Sequence, residues 1–140
     1  MAEFTNTFVQ QIVAGGNAVF TETPVAPKGC IVHREGSGVV TLRGMTNQCR
    51  AQYKVTFGGN IAIPTGGTVG EISIAISVDG EALGSATATV TPAAVENFFN
   101  VSAAAYIDVP RDCCVTIGVK NINDQTIELS NANLIVERVC

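Results

Sequence analysis

The sequence predicts an all-β protein with one domain, and three observations support this prediction. The chain has 140 residues, a length typical of a single domain. It contains 18 Val, 12 Ile and 14 Thr but only 4 Leu, and β-branched residues favour pleated strands over helices. Apolar and polar residues alternate along most of the chain, with turn-forming residues about every 8 to 12 positions.

The first part of the chain predicts four short strands. They cover residues 8–13, 18–23, 30–34 and 39–43. Gly15, Gly16 and Asn17 supply a turn between the first two strands, because these residue types tolerate the backbone angles of tight turns. Pro24 and Pro27 interrupt the pattern, since proline has no backbone N–H to donate to a sheet. The third and fourth strands are close enough in sequence to form a hairpin.

The middle of the chain shows the most regular alternation. Strands are predicted at residues 51–57, 72–78 and 81–91. Gly58 and Gly59 are expected to end the first of them. Asp79 and Gly80 predict a two-residue turn between the other two, because an Asp-Gly pair accepts the positive φ angles of a hairpin turn. Residues 92–96 are the one segment that favours a helical turn.

The C-terminal part predicts four more strands and completes the fold. They cover residues 98–109, 113–120, 125–129 and 134–139, with turns at 110–112 and 121–124. Val115, Ile117 and Val119 are expected to face the core. The chain therefore predicts an antiparallel sandwich of about ten short strands, of the jelly-roll type.

The charge and the hydropathy of the chain exclude several classes of protein. The chain has 8 basic and 12 acidic residues and a formal charge of −4, so it offers little to neutralise the phosphates of a nucleic acid. No apolar run approaches the roughly 18 residues that a membrane span requires. Residues 1–8 contain Glu3 and no Lys or Arg, unlike the start of a signal peptide. We expect a protein made in the cytoplasm that binds neither nucleic acid nor membrane.

The scarcity of charge also predicts self-association. Charged residues make up 14% of the chain, against roughly 25% in ordinary soluble domains. Alanine, serine and threonine fill outward strand positions instead, as in residues 82–91 and 103–105. A monomer with these faces would expose broad, weakly polar β surface, which favours uncontrolled association. A homo-oligomer that buries this surface is the expected solution.

No pattern of residues predicts catalysis. The single histidine, His33, is not accompanied by a nucleophile motif, and the glycine pairs lack the spacing of a phosphate-binding loop. We therefore expect no enzymatic activity, no catalytic residue, no cofactor and no metal site. His33 is expected to make a structural hydrogen bond. A ring of three His33 side chains around a three-fold axis is the alternative.

Cysteines, arginines and tyrosines are the candidates for contacts between subunits. An odd number of cysteines, five, cannot all pair within one chain, so most are expected to be reduced thiols. The alternative is a crosslink between subunits through Cys113, Cys114 or Cys140. Arg34, Arg43, Tyr53 and Tyr106 are candidate interface residues, and the alternatives are ordinary surface charge for the arginines and core packing for the tyrosines.

The C-terminal segment resembles a known family. The sequence NANLIVERV at residues 131–139 looks like the closing strand of tumour-necrosis-factor-like jelly rolls. It is similar in particular to the C-terminal domains of collagen-like spore-surface glycoproteins, and residues 107–117 resemble a hairpin of that family. About 120 residues, from Asn17 onward, fit such a head. The resemblance implies a homotrimeric jelly roll, although the chain has no Gly-X-Y stalk.

Three further segments resemble small proteins encoded by phages and prophages of Gram-positive bacteria. They are FTETP at residues 20–24, IVHREGSG at residues 31–38 and VTPAAV at residues 90–95. This resemblance implies a capsid decoration or head-fibre protein that is displayed on a virion and binds the capsid lattice. A trimeric head that binds a cell-surface glycan or receptor is the alternative, as is a self-polymerising fibre subunit of a spore or cell surface.

The N-terminal segment is the candidate for attachment to such a particle. Residues 1–16 are expected to form either a docking segment or a first strand, ahead of a jelly-roll domain over residues 17–140. Four of its apolar residues, Phe4, Phe8, Val9 and Ile12, are the candidate particle anchor.

Overall fold

The computed structural model describes residues 2–27, 30–43, 50–110 and 114–139, with Arg50 described by its backbone only. This part of the chain forms eleven strands, close to the expected ten. The strands are β1 Ala2–Asn6, β2 Gln10–Ile12, β3 Glu22–Val25, β4 Ile31–His33, β5 Val40–Arg43, β6 Arg50–Ala62, β7 Ile72–Val78, β8 Glu81–Val90, β9 Phe99–Pro110, β10 Cys114–Asn121 and β11 Ile127–Arg138.

The strands form two antiparallel sheets, as expected for a jelly roll. Sheet 1 has the order β3-β1-β11-β6-β9, and β2 pairs with β11 beside β1. Sheet 2 has the order β4-β5-β10-β7-β8. Each sheet thus contains strands from both halves of the sequence. In the described sheets β8 and β9 are edge strands, and they lie next to each other on one side of the sandwich.

The core lies between the two sheets and follows the alternation of the sequence. In β6 the residues Ala51, Tyr53, Val55 and Phe57 are fully buried, as their spacing predicts. The inward residues of β7 and β10 are buried in the same way. They are Ile72, Ile74, Ile76, Val115, Ile117 and Val119. Within the described residues, no helix is long and apolar enough to cross a membrane.

Gly58 and Gly59 do not end β6, which continues to Ala62. Both glycines pair with β9, opposite Ser102 and Val101. A Cβ added at Gly59 would lie only 2.9 Å from Leu129 Cδ1. Gly59 therefore lies against the Leu129 side chain of the neighbouring strand, and it does not mark a turn.

Three other segments differ from the sequence prediction. Residues 18–21 form no strand, although Ala18 N–H donates to Val119 O at 2.8 Å beside β10. Residues 92–96 form bends and a turn in place of a helical turn. The two predicted C-terminal strands are one strand, β11, with an irregular register at Asn131, where φ is 53°. A β-bulge lets one strand continue through a position that the alternation marks as a break.

The close packing of Gly118 in β10 gives a test of this fold. A Cβ at this position would stand 2.9 Å from Gly38 O. We expect Gly118→Ala to lower the free energy of unfolding by about 1–3 kcal/mol, because backbone must move to make room. Gly70→Ala is the control, because no atom lies within 4 Å of its added Cβ, and it should change stability by less than about 1 kcal/mol. Equal midpoints of urea unfolding for the two variants would contradict this packing.

Candidate interaction surface

The side of the sandwich formed by β8 and β9 has almost no charge. Glu96 is the one charged residue between positions 82 and 107. Most residues of these two strands are exposed or half-buried, and many are alanine, serine or threonine. As edge strands they present backbone groups that no described strand pairs with. We call this side, formed by residues 82–90 and 99–107, the uncharged edge.

The outward face of sheet 1 continues from this edge. Ala104 of β9 lies opposite Thr56 of β6, which in turn lies opposite Ile135 of β11. The next row consists of Ser102, Gly58 and Asn133. These side chains are small or uncharged, so the face is nearly flat and weakly polar. Charged residues border these rows on two sides. Glu3 of β1 lies opposite Ile135 and accepts a hydrogen bond from Asn133, and Lys54 lies opposite Glu137 closer to the far end of the strands.

Of the candidate interface tyrosines, the structure places one on this surface and one in the core. Tyr106 lies on the uncharged edge and is 71% exposed. Tyr53 is fully buried within the subunit, and its hydroxyl donates a hydrogen bond to the Arg43 carbonyl oxygen at 2.8 Å. Tyr53 is thus wrong as an interface residue, because it shares the inward face of β6. The side chains of Arg34 and Arg43 are exposed, at the ends of β4 and β5 in sheet 2.

The candidate anchor residues separate into two groups. Phe4 and Ile12 are buried in the core, because β1 and β2 pair with β11 and turn these side chains inward. Phe4 and Ile12 are therefore wrong as surface anchors. Phe8 and Val9 lie in the loop between β1 and β2 and are 75% and 56% exposed. Residues 2–6 and 10–12 are strands of sheet 1, and only residues 7–9 between them project outward.

The loop that carries Phe8 is fixed on both sides by amide side chains. Asn6 Nδ2 donates to Val19 O at 3.0 Å, and Asn6 Oδ1 accepts from Phe8 N–H. Gln10 hydrogen-bonds both the N–H and the carbonyl of Val19, at 2.9 and 3.1 Å. These bonds hold Phe8 and Val9 outward on a well-defined support.

The candidate crosslinking cysteines are placed only in part. Cys114 is exposed at the start of β10. Cys113 and Cys140 lie outside the described residues. A crosslink between subunits therefore stays a prediction.

His33 is half-buried and makes the structural hydrogen bond expected of it. Its Nε2 lies 3.1 Å from Ser37 O, and since a carbonyl accepts, Nε2 carries the proton. The ring lies 4.5 Å from the Phe4 ring and 6.4 Å from the Phe20 ring, measured between centroids. Its Nδ1 is buried without a hydrogen-bond partner. The ring thus packs as part of the core.

A pair of carboxyl groups, which the sequence does not reveal, lies at the end of sheet 1 where β9 begins. Glu128 is on the outward side of β11, is 8% exposed, and lies beside Glu96 and Gln11. Glu96 also accepts hydrogen bonds from the N–H and hydroxyl of Thr65, at 3.0 and 3.2 Å. Burial, followed by the contact with Glu96, raises the pKa of Glu128. The bond with Glu128 and those from Thr65 lower the pKa of Glu96.

An open groove of about 450 Å³ adjoins this pair. Its lining is polar and uncharged, and it consists of Gln11, Pro64, Thr65, Gly66, Gly67, Thr68, Gln125 and Thr126. The Gln125 amide bonds the N–H and carbonyl of Thr68, each at 2.9 Å, which fixes one wall. Among the described residues, no group of three or more His, Cys, Asp and Glu side chains is placed to hold a metal ion.

Comparison with known proteins identifies the fold. No protein-family model and no curated protein matches the chain. The structure of Eiger TNF from S. frugiperda is similar with a TM-score of 0.69 and 12% identity, over 99% of this chain and 91% of that chain. The globular domain of zebrafish complement 1qA protein gives 0.64 and 8%, over 96% and 94%. Murine APRIL gives 0.53 and 8%, over 95% and 97%.

These likenesses confirm that the chain is a tumour-necrosis-factor-like jelly roll, as residues 131–139 predicted. At such low identity they show the fold alone. They do not show the similarity to phage proteins, which stays a prediction.

The buried Tyr53 hydroxyl predicts a late tyrosine titration. Burial, with a further contribution from Cys30, raises its pKa to about 12. The stability contributed by the neutral phenol should be complete below about pH 10 and be lost as the pH rises from there to about 12. The measurement is ultraviolet titration of Tyr106→Phe, in which Tyr53 is the one remaining tyrosine. Ionisation near pH 10 with the fold intact would contradict the buried position.

Proposed function

We propose that this chain is a non-enzymatic structural subunit that assembles as a homotrimer and is displayed on the surface of a particle, as a phage capsid decoration or head-fibre protein. The uncharged edge is the observation that carries the proposal. Both edge strands are exposed, and Glu96 is the one charged residue between positions 82 and 107. Unpaired strands with so little charge associate readily with other chains.

The argument for self-association comes from how edge strands are normally protected. Soluble proteins place lysine, proline or bulges on exposed edges, because unpaired backbone groups otherwise recruit other chains. Here alanine and threonine occupy many of those positions. The pairing of β7 with β8 is irregular between Ala75 and Ser77, so β8 has one such protection, whereas β9 pairs with β6 in an unbroken register from Phe99 to Pro110. Covering the edge with another copy of the same chain removes the hazard. A contact between two different surfaces of identical subunits closes into a ring when the rotation permits. The number three comes from the resemblance to trimeric jelly-roll heads.

The outward face of sheet 1 is a suitable partner for the uncharged edge. Its rows around Thr56 and Gly58 carry no charged side chain on β9, β6 and β11, so a neighbouring subunit can approach closely there. Tyr106 supplies a large exposed side chain at the edge of this surface. Tyrosine is enriched among residues that dominate interface energetics. The surface therefore combines a flat, weakly polar centre with an aromatic anchor.

Attachment to a particle is assigned to the loop of residues 7–9. Phe8 and Val9 are exposed apolar side chains held on a fixed support, and such residues act as anchors when they enter a pocket of a partner. The loop lies next to β1, whereas the uncharged edge is at the opposite side of sheet 1. The attachment loop is therefore separate from the uncharged edge, and it borders the outward face of sheet 1 at β11.

A charge placed on the uncharged edge should prevent trimer formation. In Ala104→Glu a carboxylate would be buried at each subunit contact without a partner, at a cost of about 3 kcal/mol, or about 100-fold in Kd. Light scattering should give three times the chain mass of 14.5 kDa for the wild type and a smaller mass for the variant. Ala14→Glu, at an exposed position outside this edge, is the control and should remain trimeric. A wild-type monomer would refute the trimer.

A charge in the attachment loop should act on particle binding alone. Phe8→Glu is expected to keep the trimer mass but to lose at least about tenfold in the amount bound to virions or spores purified from the producing strain, because the apolar anchor is gone. Val25→Glu is the control, because it places the same charge at an exposed apolar residue outside the loop, on β3. Equal particle binding by wild type and Phe8→Glu would refute the attachment loop. Deletion of residues 1–13 is a poor test, since it removes two strands of sheet 1.

The groove at the β9 end of sheet 1 favours one alternative. Its neutral polar lining suits a hydroxyl-rich ligand, as a glycan-binding trimeric head would require. Specific binding on a glycan array, together with no binding to particles, would favour this alternative over the structural role.

A further inference from the structure

A second cavity lies next to the open groove at this end of the sandwich. Its volume is about 370 Å³, and it is lined by residues 68–71 together with Asp124 and Gln125. Thr68 and Gln125 line the groove as well, so the two cavities are neighbours along one wall. Both volumes lie within the roughly 300–1,000 Å³ of ligand sites in proteins. We call the second one the acidic cavity, because Glu71 and Asp124 are its charged residues.

Two pairs of side-chain hydrogen bonds hold the walls of the acidic cavity. The Gln125 amide bonds both backbone groups of Thr68, each at 2.9 Å. The Asn123 amide does the same at Ser73, at 2.9 Å to the N–H and 2.8 Å to the carbonyl oxygen. These bonds join the β6–β7 loop to the β10–β11 loop on either side of the two carboxylates. The cavity is therefore preformed, and a ligand need not order two loops when it binds.

The close approach of these loops depends on Gly67 and Asn121. A Cβ at Gly67 would lie 2.6 Å from Ile63 Cγ2 and 3.1 Å from Gln125 Oε1, so a side chain at this position would force the loop to move. Asn121 is fully buried, and its Nδ2 donates to Gln125 O at 2.9 Å. Its Oδ1 accepts from the Asn123 N–H, also at 2.9 Å. The base of the β10–β11 loop is thus fixed from within the fold.

The two cavities differ in the groups that they offer to a ligand. The groove has hydroxyl and amide groups from Gln11, Thr65 and Thr126, which can donate to and accept from hydroxyl groups. The acidic cavity adds the carboxylates of Glu71 and Asp124, which attract a positive charge. None of the described residues that line either cavity is basic or aromatic. A ligand that satisfies both parts has many hydroxyl groups, an amine and no negative charge.

We propose that the two cavities together bind an oligosaccharide with free amino groups, with sugar hydroxyls in the groove and a protonated amine in the acidic cavity. A sugar carries hydroxyl groups on every ring, whereas a lysine-rich peptide has apolar side-chain stems for which the groove offers no apolar lining. Because no aromatic side chain is there to stack on a ring, the affinity is expected to be weak. This inference goes beyond the proposed function, since it requires neither a trimer nor a particle.

Titration followed by amide NMR spectra tests the site with three ligands. They are a glucosamine trisaccharide, the matching N-acetylglucosamine trisaccharide and trilysine. At about pH 5.5 the carboxylates are ionised and amines are protonated. The glucosamine trisaccharide should bind at least about fivefold more tightly than the acetylated one, because acetylation removes the charge, and high salt should reduce the difference. The largest shifts are expected at the amides of Thr68, Gly70 and Gln125.

Variants in each cavity separate the two contributions. Glu71→Gln combined with Asp124→Asn should weaken binding of the glucosamine trisaccharide by at least about fivefold and leave the acetylated one unchanged. Both residues are exposed in loops, so this variant should fold, and its amide spectrum checks that. Glu35→Gln combined with Glu81→Gln removes the same charge at exposed positions outside the cavities and is the control. Thr126→Val should weaken both sugars, because it removes a hydroxyl from the groove.

Three results would overturn the proposal. Equal binding of the two trisaccharides would show that the acidic cavity takes no part. Trilysine that binds as tightly as the glucosamine trisaccharide, with the same shifts, would assign the site to a cationic peptide. Unchanged binding of the glucosamine trisaccharide by the double variant of Glu71 and Asp124 would place the site elsewhere.

The same samples separate this site from the proposed function. Ala104→Glu and Phe8→Glu change residues that line neither cavity, so both variants should bind the glucosamine trisaccharide as the wild type does. A monomeric wild type that binds this sugar would refute the trimer and leave the site. A trimeric wild type whose amides are shifted by neither sugar would refute the site and leave the trimer.

Discussion

The central position of β11 in sheet 1 is the constraint on which the rest of the structure depends. This strand pairs with β6 along one side and with both β1 and β2 along the other. Its inward residues, including Leu129, Leu134 and Val136, are buried in the core. Because two short strands share one of its sides, the chain between them must leave the sheet. The exposed loop with Phe8 and Val9 thus follows from the pairing of β11, and it lies beside the bulge at Asn131.

The two sheets also explain why the chain has so few charged residues. Large buried faces require many apolar residues in a chain of this size, and the edge strands β8 and β9 remain nearly uncharged as well. A single folded chain therefore leaves a surface that water solvates poorly. This connects the composition with self-association without reference to any relative, and the resemblance supplies the number of subunits.

The sequence predicts the strands well wherever alternation is regular. Burial of Ile72, Ile74 and Ile76 is already visible in their spacing, and so is the turn at Asp79 and Gly80, whose φ angles are 50° and 88°. Prediction fails where a residue's role depends on a distant neighbour. A glycine can end a strand or make room for another strand, and the sequence of β6 alone does not distinguish these two roles.

The candidate surface residues also show which features follow from local alternation and which depend on distant neighbours. For Tyr53 the two expectations, interface and core, are decided by the face that it shares with Val55 and Phe57, which is buried. Phe4 lies in a short alternating segment in which Ala2, Phe4 and Asn6 are all buried. The alternation of so few residues is a weak signal for burial. Nothing in the sequence connects Glu96 with Glu128, because they are separated by two strands and meet only through the sheet order.

The pairing of β1 with β11 has a consequence for synthesis. Strand β1 cannot complete its pairing before β11 has been made, because β11 is its main partner in sheet 1 and β3 pairs with it over only a few residues. Pairing of segments so distant in sequence is slow, because the entropy of closing a long loop is lost before the contacts between the strands form. The apolar side chains of β1 therefore lack their main partner strand until the ribosome has made β11. Chaperone demand and expression temperature should matter more for this protein than its small size suggests.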